Sequence, residues 1–142
     1  MTKFGKYAIL DVIEHHFDKE PDWVWKIKPP TSGDELAMQK FMVNNRYEID
    51  VEGTRREFPP TVIEIAYREI AITFAGTTIP GDDGNPVLAD SAKVLDVENM
   101  LRQFPHEMTM EIWKAIGEAV PGWGMSPLHK QEAPKVIEAP VE

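Results

Sequence analysis

The sequence predicts an α+β fold in which a small antiparallel sheet of about three strands precedes a helical C-terminal half. Three short segments alternate between apolar and polar residues with the two-residue period of a strand. Longer segments carry apolar residues three and four positions apart between helix-start and helix-stop signals, which is typical of amphipathic helices. Four to five helices are expected in all, because the first segment fits either a helix or a strand.

That first segment covers residues 4–17. Its apolar residues suit one face of a helix, but residues 7–12 equally suit a short strand, and periodicity does not decide over so few positions. A turn follows over residues 18–22. Residues 23–28 then place Trp23, Trp25 and Ile27 on one side and two lysines on the other, and so predict a half-buried strand.

The next elements are a helix over residues 32–45 and a hairpin. Ser32 and Glu35 have the spacing of a capping box, in which each side chain satisfies a backbone N–H at the helix start. The apolar residues that this helix is expected to bury are Leu36, Met38 or Ala37, Phe41 and Met42. Residues 47–51 and 54–58 alternate on either side of a Glu-Gly turn, and with the first strand they are expected to form one sheet.

The most apolar segment, residues 61–75, predicts a central helix. Thr61 and Glu64 form a second capping box, and Gly76 stands where a left-handed C-terminal cap is expected. Apolar residues cover most of the cylinder, and its narrow polar strip consists of Glu64, Arg68, Glu69 and Thr73. A helix of this kind is buried on most sides, either in a core or in a subunit contact.

The rest of the helical half contains two further helices. A loop rich in proline, glycine and aspartate covers residues 77–86. A short helix is predicted from Ser91 or Asp96 to Phe104, and a longer one over residues 105–120. Beyond them, prolines, mixed charges and a lack of periodicity predict a flexible C-terminal tail. The domain organisation is therefore one α+β domain, residues 1–122, and a tail, residues 123–142.

Composition narrows the function classes. The chain has 142 residues, which suffices for one domain with a sizeable core. Its net charge of −9 argues against a nucleic-acid backbone or an anionic membrane as partner. It has no cysteine, hence no thiolate metal site or cysteine nucleophile, and no apolar run long enough for a membrane span. Residence in the cytoplasm is expected.

Candidate chemical sites are few. His15-His16 lies near several acids and is the one local cluster that resembles metal ligands, but a polar element end explains it as well. His106 and Glu107 begin a helix, and Glu107 and Glu111 share a face four positions apart, but the second histidine of a zinc-protease motif is missing, so a helix surface is expected. Residues 81–85 suggest a calcium loop but lack its alternating acids and closing glutamate, so a turn is expected. We assign no catalytic, cofactor or metal residue.

Partner binding is the remaining interpretation. Trp23, Trp25 and Trp113 are expected to pack in the core, whereas Trp123, between two glycines, either folds back as a lid or anchors a partner. The all-round apolar character of the central helix makes two of its residues further candidates. The candidate partner-binding residues are thus Ile70, Phe74, Trp113 and Trp123.

The order of elements in the first half resembles a known family. Tyr7-Ala8-Ile9-Leu10-Asp11 leads through Glu20-Pro21-Asp22-Trp23 to a strand, and the helix starting Ser32-Gly33-Asp34-Glu35-Leu36 follows. This order, with a helical second half and a tail, resembles the tail assembly chaperones of long-tailed bacteriophages. The resemblance implies a non-enzymatic factor in the host cytoplasm that binds the tape measure protein and helps recruit tail-tube subunits.

Two other interpretations stay open. A structural protein of the phage neck or tail would remain in the virion and use the same apolar helices for a symmetric contact between copies. A small acidic enzyme or metal-binding protein would use the His15-His16 region. Presence in purified virions distinguishes the first from a chaperone, and metal analysis tests the second.

Overall fold

The computed structural model describes residues 11–120, 122–124 and 135–140. Within these ranges there are four helices: α1 (Ser32–Asn44), α2 (Val62–Thr73), α3 (Val94–Leu101) and α4 (His106–Ala119). The same ranges contain six strands: β1 (Ile13–His16), β2 (Val24–Ile27), β3 (Tyr47–Val51), β4 (Thr54–Phe58), β5 (Phe74–Thr77) and β6 (Lys135–Pro140). The predicted α+β class, with its helical C-terminal half, is confirmed.

The first sheet is antiparallel, with the strand order β1-β2-β5. The predicted strand at residues 23–28 is β2, and its Trp25 and Ile27 are fully buried. Of the two alternatives left open for the first segment, the helix over residues 4–17 is wrong where the chain is described, because Ile13 to His16 pair with β2 and their burial alternates with a period of two. Residues 1–10 lie outside the described ranges.

The central helix α2 passes directly into β5. Thr61 is its N-cap, as predicted, and its hydroxyl oxygen accepts a hydrogen bond from the Glu64 amide. The Glu64 carboxylate accepts a hydrogen bond from the Thr61 hydroxyl, not from a backbone N–H as in the predicted capping box. The expectation of a C-terminal cap at Gly76 is wrong, since the helix already ends at Thr73. Gly76 lies within β5 at φ +143, where an added Cβ would stand 2.7 Å from the Asp90 carboxylate.

The N-cap of helix α1 is Thr31, one residue before the predicted Ser32. Thr31 and Asp34 form the capping box in place of Ser32 and Glu35, each accepting the other's backbone N–H. Met38 and Phe41 are buried as expected. Leu36 is 51% exposed, so its predicted burial is wrong, because the buried side of α1 runs through Met38 and Phe41 and Leu36 does not lie on it.

The second sheet contains the predicted hairpin. Strands β3 and β4 pair from Tyr47↔Phe58 to Val51↔Thr54, and β6 pairs with the other edge of β4. The turn at Glu52-Gly53 has positive φ at both positions, the type I′ geometry that suits a two-residue hairpin. The expectation that β2 joins this hairpin in one sheet is wrong, because β2 is already paired on both edges by β1 and β5.

The core lies between the first sheet and the helices. Its buried apolar residues come from the first sheet and its flanks, from the helices, from the loop before α3 and from Trp123, and none comes from the hairpin. Helix α2 contacts α1, α3 and α4, which makes it the central element of the core. The short predicted helix begins at Val94, between the two alternative starts, and ends at Leu101.

Candidate functional site

Three of the predicted partner-binding residues lie in the core. Ile70 on α2 is completely buried, Phe74 at the start of β5 is 5% exposed, and Trp113 on α4 is 7% exposed. Phe74 packs against Trp25, with ring centroids 5.0 Å apart. These side chains therefore stabilise the fold in this structure, and none of the three presents a surface to a partner.

A buried carboxylate connects α2, α4 and the segment that follows α4. Glu69 is 1% exposed, and its Oε1 accepts hydrogen bonds from Trp113 Nε1 at 2.7 Å and from the Gly124 amide at 3.0 Å. A buried carboxylate is tolerated only where donors replace its water shell. The polar strip predicted along α2 is thus partly internal, and Glu69 serves to hold the chain after α4.

Trp123, the fourth candidate, is buried and not an exposed anchor. It is 2% exposed, and its Nε1 donates to Glu35 Oε1 on α1 at 2.7 Å. Of the two alternatives drawn from the sequence, the structure has the one in which Trp123 folds back. The next residue, Gly124, has φ +62, and a Cβ there would lie 2.3 Å from the Trp113 carbonyl oxygen. Only glycine fits this close approach.

After Gly124, the structure describes one stretch of the predicted tail, residues 135–140. Residues 135–140 form β6 and pair with β4, in the register Glu57↔Lys135 to Thr54↔Pro140. Residues 125–134 and 141–142 lie outside the described ranges, and so does Pro121.

The histidines considered as metal ligands have protein partners instead. His15 Nε2 lies 2.5 Å from Glu111 Oε2, and His16 Nδ1 lies 2.9 Å from the Pro21 carbonyl oxygen. Across the part of the chain that is described, no three acids, histidines or cysteines converge as metal ligands.

The glycine- and aspartate-rich loop forms a turn, as predicted. The Gly84 amide donates to the Gly81 carbonyl at 3.0 Å, and the Pro80 and Pro86 backbones form an isolated bridge. The Asn85 side chain donates to the Asp83 carboxylate at 3.2 Å, and together with the Asn85 amide it lowers the pKa of Asp83 below its ordinary value of 3.8.

A cleft at the start of α4 offers a better binding site than the predicted residues. It has a volume of about 310 Å³. We call it the α4 cleft, and eight of the described residues line it: Phe17, Lys19, Glu20, Trp23, Pro105, Glu107, Met108 and Glu111. Four of them supply an apolar surface of two aromatic rings, a thioether and a proline ring. The other four carry charges, three negative and one positive.

Hydrogen bonds hold the two walls of the α4 cleft together. One wall is the connection between β1 and β2, closed by hydrogen bonds from the Phe17 amide to the Trp23 carbonyl and from the Trp23 amide to the Glu20 carbonyl. The other wall is the first half of α4. Glu111 bridges the walls, since its Oε2 contacts His15 and also accepts from the Asp18 amide at 3.2 Å.

The charges at the mouth of the cleft are available to a ligand. Lys19 and Glu107 form an ion pair at 3.1 Å, but their side chains are 79% and 70% exposed. A pair so exposed contributes little to stability and exchanges readily for another partner. Glu20 is exposed as well. The mouth therefore favours a group that combines an apolar part with a positive charge. Among the described residues of the lining there is no hydroxyl or thiol side chain that could act as a nucleophile.

Sequence reasoning missed this cleft for an identifiable reason. It assigned Glu107 and Glu111 to a plain helix surface, although their i,i+4 spacing does place them on one side of α4. The sequence did not predict that the β1–β2 connection packs against that side of α4. The aromatic residues that flank the turn at residues 18–22 are the one local signal, and they fit an ordinary core equally well.

Comparisons with models of known protein families, with curated proteins and with solved structures found no match to this chain. Within the described residues, no helix combines the length and apolar character needed to cross a bilayer.

Proposed function

We propose that this chain is a non-enzymatic assembly factor that binds a segment of a partner protein in the α4 cleft. The observation that carries the proposal is the lining of this cleft, an apolar surface next to three carboxylates and one lysine. A partner segment that presents a large apolar side chain beside a lysine or arginine matches it in both shape and charge.

The specific form of this proposal is a phage tail assembly chaperone. Its partner would be the tape measure protein, a long helical chain with apolar faces to protect, and tail-tube subunits would be recruited to that complex in the host cytoplasm. The support is the order of elements in the sequence together with the cleft. It differs from the sequence-based expectation in placing the binding surface at the start of α4 rather than on Ile70, Phe74, Trp113 and Trp123.

The test is capture of the partner with matched variants. Wild-type protein, Met108→Asp and Leu95→Asp would each be used to purify partners from phage-infected host cells. Met108 lines the cleft, whereas Leu95 is 65% exposed and lies outside it. Met108 is half-buried and also packs against the core, but an acidic residue in the first turn of α4 suits the helix dipole, and thermal unfolding would verify that Met108→Asp folds.

We expect a long helical protein to be captured by wild type and Leu95→Asp and to be lost with Met108→Asp. Equal capture by all three proteins would place the binding surface elsewhere. Capture of no protein at all would contradict an assembly role. Mass spectrometry of purified virions separates the two phage interpretations, because a chaperone is absent from the particle and a neck or tail protein is present.

A further inference from the structure

The hairpin sheet has an open edge and an exposed apolar face. Within the described residues no strand pairs with the outer edge of β3, whereas β4 is paired on both sides. Tyr47 and Ile49 of β3 are 43% and 44% exposed. The Tyr47 ring stacks on Phe58, with centroids 5.3 Å apart and an interplanar angle of 14°. This face lies outside the core cluster.

The register determines which backbone groups point outward from that edge. In a two-residue hairpin, the residues that flank the turn form a hydrogen-bonded pair, and such pairs recur at every second position. Tyr47, Ile49 and Val51 therefore direct their N–H and C=O groups toward β4. Glu48 and Asp50 direct theirs outward, where a further strand would receive them.

The same two residues decide which strand can bind. When two β3 edges pair antiparallel through the outward groups of Glu48 and Asp50 in both copies, a carboxylate of one copy stands opposite a carboxylate of the other. Like charges directly opposite one another destabilise a sheet, and charged edges are a common protection against self-association. A strand with lysine or arginine at those positions would instead meet an opposite charge. Its intervening residues would extend the apolar face of Tyr47 and Ile49.

The existing ion pairs leave this charge accessible. Glu48 lies 3.8 Å from Arg55, and the two side chains are 52% and 51% exposed, so the pair is weak. Asp50 is exposed and stands opposite the same arginine in the register. One arginine thus serves two carboxylates, which leaves negative charge along the edge.

We propose that the outer edge of β3 binds an extended polypeptide strand in which basic and apolar residues alternate. The strand pairs through its backbone with Glu48 and Asp50, places its basic side chains beside their carboxylates, and covers Tyr47 and Ile49 with its apolar ones. This surface is separate from the α4 cleft, so binding of a strand at β3 does not depend on the function proposed for that cleft.

The test measures binding of a fluorescent eight-residue peptide of alternating Lys and Val to the full chain by anisotropy. A peptide of the same composition, with its four Lys preceding its four Val, controls for simple charge attraction. The protein variant is Glu48→Lys with Asp50→Lys. Its matched control is Asp11→Lys with Glu14→Lys, an equal change of charge at the first sheet, where both residues are exposed and Glu14 lies on β1.

We expect the alternating peptide to bind wild type and the control variant alike, and to bind Glu48→Lys/Asp50→Lys about tenfold more weakly, the effect of two reversed cross-strand charges. A peptide methylated at the backbone nitrogens that face β3 should not bind, whereas methylation of the alternate nitrogens should be tolerated. Equal binding of the block peptide, or equal losses in both variants, would overturn the proposal. Dimerisation of the protein through β3, or failure of the wild-type protein to bind the alternating peptide, would also overturn the proposal.

Discussion

Each of the two sheets has three antiparallel strands, but the sheets differ in what covers them. In the first, β2 lies between two other strands, and its Trp25 and Ile27 are fully buried. In the second, Tyr47 and Ile49 of β3 show more than two fifths of their surface. Alternation of apolar and polar residues therefore identifies a strand, while burial depends on what packs against it.

The connections explain the difference. Strand β5 follows α2 without a loop, so the central helix brings the first sheet into the core. The Lys28 amide reinforces this by donating to the Thr73 carbonyl at 2.8 Å. The hairpin instead lies between the end of α1 at Asn44 and the start of α2 at Val62, and among the described elements its strands make few contacts outside their own sheet.

The largest expected effect comes from truncating matched isoleucines in the two sheets. Ile27→Ala removes a fully buried side chain and should lower the free energy of unfolding by about 2–5 kcal/mol. Ile49→Ala removes a side chain that is 44% exposed and should change it by no more than about 0.5 kcal/mol. Urea denaturation measures both. Equal losses would mean that the second sheet is also covered.

The second prediction concerns the buried carboxylate of the core. Glu69→Ala leaves the Trp113 indole N–H and the Gly124 amide without this acceptor, which should cost about 1–3 kcal/mol for each buried donor. Glu69→Gln keeps an acceptor oxygen in the same place and should cost less. Denaturation followed by tryptophan fluorescence compares the two. A loss as large for Gln as for Ala would show that the charge matters more than the hydrogen bonds.

A smaller effect is expected at the hairpin turn. Gly53 has φ +80, a conformation that costs a residue with a side chain about 1–2 kcal/mol. Gly53→Ala should therefore loosen β3 and β4, whose NMR chemical shifts would move toward random-coil values, and leave those of β2 unchanged. Glu52→Asn is the matched control, because asparagine favours this turn. Shifts that spread into β2 would mean that the two sheets are coupled.

The smallest expected effect is a pH dependence of stability that arises from Asp83 in the exposed loop. Because the folded-state pKa of Asp83 is lowered, its ionised form contributes stability above the ordinary pKa of 3.8. That contribution is lost as the pH falls through the lowered value. An NMR titration of the Asp83 carboxyl should give a midpoint below 3.8, and Asn85→Ala should raise it. An unchanged midpoint in the variant would exclude the Asn85 side chain as the cause.

Local signals predicted much of the fold. The strand at β2, the hairpin with its turn, the N-cap at Thr61 and the long helix α4 all follow from residues within a few positions of one another. The errors have the same origin. Ile13 to His16 pair with a strand eleven residues later, and the end of α2 depends on the pairing of Phe74 with Ile27. Neither partner is visible in a local window.

The candidate site was less predictable than the fold. Trp123 stands out between two glycines, but Glu35, to which its indole N–H donates, is 88 positions away. The α4 cleft joins the β1–β2 connection to α4 through contacts of similar range, such as His15 with Glu111. Long-range pairs of this kind are set by packing, so the sequence predicted some of the participating residues and not their partners.

The most direct test of the account is amide hydrogen exchange, resolved by residue, on the full chain. If the second sheet lies outside the core with an open outer edge, the amides of Trp25 and Ile27 should exchange only on global unfolding, while those of Glu48 and Asp50 exchange orders of magnitude faster. The β3 amides that face β4 should be intermediate. Protection of Glu48 and Asp50 equal to that of Trp25 would contradict the account, because another strand or another copy would then already cover this edge.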